Sequence, residues 1–83
     1  MIVHGRVQGV GFRLAVARAA RTRGVAGWVR NRPDGTVEAQ FEGDEEAVAS
    51  LVGFCRDGPR GAEVTHLEER AAEAGGSSRF DVR

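Results

Sequence analysis

The run from Gly5 to Arg13, GRVQGVGFR, places glycines at 5, 9 and 11 and then an arginine. It follows IVH, which reads as a short strand, and leads into LAVARAA, which reads as a helix. A loop entering a helix suits an anion, because the first-turn N–H groups lack intrahelical acceptors and the peptide dipoles make that end positive. Glycines let the backbone approach a ligand and adopt positive φ, so that successive N–H groups can converge on a phosphate. Arg13 would add a bidentate guanidinium. Its charge opposes the helix dipole by roughly 0.3 kcal/mol or more, a cost that an anion seated against the helix end offsets. The same residues also fit a plain tight turn with a surface arginine. Two familiar phosphate loops do not fit. Walker A needs a lysine that this chain lacks, and the dinucleotide fingerprint needs glycine where Leu14 stands.

Other groups with chemical potential are few. All twelve cationic side chains are arginines, so any cation acting here is a planar, permanently charged guanidinium. His4 and His66 lie on expected strands outside the loop, and acid–base work is not expected of them. With one cysteine, Cys55, no internal disulfide can form. Two histidines and one cysteine without ligand spacing argue against a zinc site, so no metal ligands and no cofactor are expected. Cys55 falls on an apolar helical stripe and reads as a small core residue.

The elements that must position the loop follow from pattern. Ile2–Val7 reads as a strand, Gln8–Gly11 as the loop, and Phe12 to about Arg23 as a helix burying Phe12, Ala15, Val16, Ala19 and Ala20. Gly24 stops it. Ala26–Asn31 and the alternating TVEAQFE form a hairpin around RPDG, with Val37, Ala39 and Phe41 inward. Asp44 caps a second helix to about Arg56, burying Val48, Leu51, Val52 and Cys55. Val64 to about Ala71 reads as a strand in which Val64 and Leu67 cannot share a face if the strand is regular, so a bulge or a later start is expected. GGSS reads as a turn, and Arg79–Val82 closes the sheet with Phe80 and Val82 inward. The order β-α-β-β-α-β plus a short terminal strand is an α+β, ferredoxin-like split βαβ arrangement, mostly antiparallel with two helices on one face.

Composition narrows the classes. Eighty-three residues bound a single domain, 1–83. Zero formal net charge, no tyrosine and phenylalanines that read as core argue against a nucleic-acid module. No stretch of eighteen apolar residues and no signal peptide are seen, so a cytoplasmic protein without membrane attachment is expected. The initial Met favours a complete chain.

Val3–Arg13, VHGRVQGVGFR, and Gly27–Gly43, GWVRNRPDGTVEAQFEG, resemble the first and second signatures of the acylphosphatase family. The matching positions are Gly5, Val7, Gln8, Gly9, Val10, Phe12 and Arg13, then Gly27, Trp28, Asn31, Gly35, Val37 and Gly43. The resemblance implies hydrolysis of small acyl phosphates to a carboxylate and inorganic phosphate without a metal. It implies that Gln8, Gly9, Val10, Gly11 and Arg13 hold the phosphoryl group and that Asn31 positions the attacking water. By itself Asn31 could equally be a turn-starting residue before RPDG. Phosphate and similar anions are expected as competitive ligands, and a monomer is expected. A regulatory domain of a larger hydrogenase-maturation protein and an inactive relative are weaker readings, the latter because Arg13 and Asn31 are both present.

Overall fold

The computed structural model describes residues 1–70 and 76–83. Its elements run β1 (Ile2–Arg6), α1 (Phe12–Thr22), β2 (Ala26–Asn31), β3 (Val37–Glu42), α2 (Glu45–Asp57), β4 (Glu63–Glu68) and β5 (Phe80–Val82). The strands form one sheet in the order β4-β1-β3-β2-β5. It is antiparallel except at its edge, where β5 runs parallel to β2. Val3, Val29, Val37, Ala39 and Phe80 from the sheet share one buried cluster with Phe12, Val16 and Ala20 of α1 and Leu51 and Cys55 of α2. Both helices therefore cover the same face, and the other face carries Trp28, Arg30 and His4.

Local chemistry explains the boundaries. The Asp44 carboxylate accepts the Ala47 N–H, and Glu45 and Glu46 follow in the first turn, where negative charge is favoured. The β2–β3 hairpin closes on an Asp34 carboxylate that accepts both the N–H and the hydroxyl of Thr36. These bonds hold the Asp34 carboxyl below its usual range. Arg32 N–H donates to the Thr36 carbonyl at 2.9 Å, completing the turn.

The expected bulge is present in β4. His4 pairs with His66 but Gly5 pairs with Val64, leaving Thr65 as the extra residue. Val64 and Leu67 consequently both pack against the core. Gly5 is required opposite the bulge, since its φ is 125° and a Cβ there would sit 2.0 Å from the Glu63 carbonyl oxygen.

Several details differ from the sequence reading. In α1 the buried set is completed by Ala17 rather than Ala15. The helix is covered by β2, β5 and α2 together, so its buried arc is wider than a single stripe. Val48 and Val52 are only half-buried, because with Met1 and Phe41 they line an open cavity of about 320 Å³. Val82 shares the inward face with Phe80 but lines the rim of a cavity and is 38% exposed. β4 starts at Glu63 and ends at Glu68, while Ala71 and Gly75, assigned to strand and turn, lie outside the described residues.

Candidate active site

β1 delivers the loop. Val7 is buried at its root, and Gln8–Gly11 then bend without a backbone turn bond among the described residues. Gly9 and Gly11 sit at φ 74° and 75°. A Cβ at either would meet open space, so what glycine supplies here is the left-handed backbone, which costs any L side chain about 1–2 kcal/mol. The Gln8 side chain reaches the β2–β3 turn. Its Nε2 donates to the carbonyls of Arg32 and Thr36 at 2.8 and 2.9 Å, tying the loop to the β2–β3 turn.

The two helix entrances contrast. α2 has a carboxylate cap and acidic first-turn residues. α1 begins at Gly11, with no side-chain cap and no acidic residue in its first turn. Its first N–H groups and its dipole are thus open to an external anion. Arg13 stands in that same turn, and its Nη1 donates to the main-chain oxygen of Arg83 at 2.9 Å.

Asn31 ends β2. Strand alternation puts it on the helix-covered face with Val29, and it pairs with Val37 of β3. Its Oδ1 is buried and has no hydrogen-bond partner among the described residues. A buried amide oxygen left unpaired costs about 1–3 kcal/mol, a cost that a donor from a ligand or a water would relieve.

These groups meet around a cavity of about 260 Å³ lined by Gly9, Gly11, Arg13 and Asn31 with Val7, Phe12, Leu14 and Val82. The fold thus brings together four of the six residues singled out in the sequence. Gln8 and Val10 do not line it: Gln8 anchors the loop, and Val10 packs against the core. The sequence reading missed Leu14 and Val82, 64% and 38% exposed, which make an apolar rim beside the polar floor. An exposed leucine one residue after the arginine was a usable signal for the first; nothing local marks Val82. None of the eight lining residues is an acid, histidine or cysteine. Trp28 is on the opposite face, with the guanidiniums of Arg30 and Arg83 over its ring at 5.7 and 4.8 Å from the centroid.

A split βαβ sandwich with two helices on one face of its sheet, and with glycines, an arginine and an unpaired amide oxygen at the entrance of its first helix, is a small α+β domain of the ferredoxin-like class. The acylphosphatase family model matches residues 1–82. An acylphosphatase of Thermococcus kodakarensis is 54% identical over 80 residues, covering 96% of this chain and 88% of that one. A crystal structure of acylphosphatase from Bacillus subtilis superposes with a TM-score of 0.92 at 43% identity, covering 99% and 92% of the two chains. HypF of T. kodakarensis contains a similar unit, with TM-score 0.85, 30% identity and 99% of this chain covered, but only 11% of HypF. The chain belongs to the acylphosphatase family, hydrolases that cleave acyl phosphates.

Proposed function

We propose that this chain hydrolyses small acyl phosphates without a metal ion, with the phosphoryl group held at the α1 entrance by the loop Gln8–Gly11 and by Arg13, and with water positioned by Asn31. The observation that carries this reading is the unpaired Asn31 Oδ1 sharing a cavity with Arg13 and the left-handed glycines. In the reaction the water oxygen bonds to phosphorus as the bond from phosphorus to the acyl oxygen breaks. The carboxylate departs with the electron pair, and the water's proton passes to a phosphate oxygen or to solvent. A carboxylate is a good leaving group and needs no strong acid. Phosphoryl transfer passes through a loose, charge-spread state, so positioning and electrostatics carry most of the work. Backbone N–H groups and a guanidinium address the charge on the equatorial oxygens. The Asn31 Oδ1 accepts one hydrogen of the water and aims its lone pair. The absence of acids, histidines and cysteines from the cavity lining agrees with a reaction that needs no bound cation there. Leu14 and Val82 offer contact for an apolar acyl group.

The test is benzoyl phosphate hydrolysis in EDTA by wild type, Arg13→Ala and Asn31→Ala. We expect turnover in the wild type and a fall of about 100- to 1,000-fold in each variant. Arg13→Ala also loses inhibition by inorganic phosphate, whereas Asn31→Ala keeps it. A folded wild type with no turnover, or a fully active Asn31→Ala, overturns the reading.

A further inference from the structure

We propose that His4, His66 and Glu68 form a binding site for one divalent transition-metal ion of the zinc class, on the sheet face opposite the cavity. The sequence showed no ligand spacing, but sheet pairing creates one. His4 of β1 lies directly across from His66 of the edge strand β4, and Glu68 follows two residues along. Paired residues point to one face, and so do residues two apart. The three donor atoms all lie within 4.8 Å of one another.

The geometry is close to a coordination shell. His4 Nε2 and Glu68 Oε2 are 2.6 Å apart, and the two imidazole centroids are 5.3 Å apart. Ligand atoms on a tetrahedral zinc stand roughly 3.3 Å from each other, given bonds near 2.05 Å. Side-chain rotation can close the set once the His4 proton shared with Glu68 moves from Nε2 to Nδ1 or leaves to solvent, and the His4 and Glu68 side chains, 37% and 36% exposed, have room to turn. The Arg70 guanidinium lies 3.6 Å from the other oxygen, Oε1, leaving Oε2 as the ligand atom.

Two imidazoles and a carboxylate with an open fourth position form a borderline ligand set. It suits zinc, cobalt, nickel or copper(II) over calcium and magnesium, and it lacks the thiolate that copper(I) favours. The register that builds it is held from the other face, where Val3 pairs with Leu67 against the core. A slip by one residue would turn His66 and Glu68 inward. A bound ion would clip the exposed edge strand to β1, the strand that leads into the glycine loop.

The site is separable from hydrolysis, and so is its test. Cobalt(II) is titrated into wild type, His66→Ala and Glu68→Gln and followed by visible d–d absorption, with zinc as competitor. Thermal unfolding is measured with and without zinc. The wild type should bind one equivalent, and each variant should bind at least tenfold more weakly. Zinc at about 100 times its Kd should lower the wild-type unfolding constant about a hundredfold, with no such protection in the variants. Benzoyl phosphate turnover in EDTA should be unchanged in both. No binding at millimolar cobalt, or binding that both folded variants retain, overturns the proposal.

Discussion

Arg13, at the start of α1, donates through Nη1 to the main-chain oxygen of Arg83 at 2.9 Å, and Arg83 N–H donates in turn to the Val29 carbonyl at 2.8 Å. A second arginine of α1, Arg21, donates to the Phe80 carbonyl at 2.8 Å. The spacing is matched: eight helical residues rise about 12 Å, and three strand residues span about 10 Å. The helix that presents the guanidinium is therefore stapled to β5 along its length. Deleting residue 83 should raise the KM for benzoyl phosphate about tenfold, since one charge-assisted bond orienting Arg13 is worth about 1.5 kcal/mol. Arg83→Ala keeps the main-chain oxygen and should leave KM within about twofold. Equal KM values in all three proteins would end this positioning role.

Asn31→Ala should separate activity from stability. The Oδ1 has no partner to lose, so removing it should leave the unfolding free energy unchanged or raise it by up to about 1 kcal/mol. Urea unfolding measures this beside the expected loss of turnover. A marked destabilisation would mean that the amide has a structural duty.

Gln8 acts through the loop it fastens. Gln8→Ala removes two bonds, to Arg32 and Thr36, and should cost about 1–3 kcal/mol. With the loop untethered, phosphate inhibition should weaken as well. Chemical denaturation and a phosphate titration test both effects; a stable variant with unaltered phosphate affinity would contradict the tether.

Two glycine-to-alanine changes should move in opposite directions. Gly5→Ala forces a Cβ onto the Glu63 carbonyl oxygen and should unfold the protein or cut Tm steeply. Gly53 lies within α2 with open space where a Cβ would go, and Gly53→Ala should add about 0.5–1 kcal/mol. Paired melting curves decide both.

Burial pushes the Cys55 thiol up to about 12. A free thiol ionises near 8.5, so at pH 8 the native protein should react with a disulfide reagent about a thousandfold more slowly than the unfolded chain. The thiol prefers to stay protonated in the fold. Its contribution to stability is therefore complete below the unfolded value and declines as pH rises above it. Native-state labelling as fast as in urea would refute the burial.

Much of this protein was legible in the order of its residues. The cap at Asp44, the β2–β3 hairpin around RPDG and the left-handed glycines of the loop rest on sterics and hydrogen bonds between near neighbours. The irregularity in β4 was readable for the same reason, since Val64 and Leu67 cannot share a face of a regular strand, and the structure chose the bulge over a later start. That Arg13, Asn31 and the loop glycines would lie close together was likewise expected before any coordinates, Asn31 through the family resemblance, and they do line one cavity.

What only the tertiary structure decided are the partners chosen across the sheet. Gln8 reads in sequence as part of the cradle, yet its amide spans to a turn 24 and 28 residues away. Val82 rims the cavity because β5 docks parallel to β2, and Arg13 donates to a main-chain oxygen 70 residues distant. His4 and His66 carried no spacing signal and became neighbours through the β1–β4 register alone. Local geometry is set by the few residues whose atoms touch along the chain. The sheet order β4-β1-β3-β2-β5 is set by burying every apolar face at once, and that condition has no local signature.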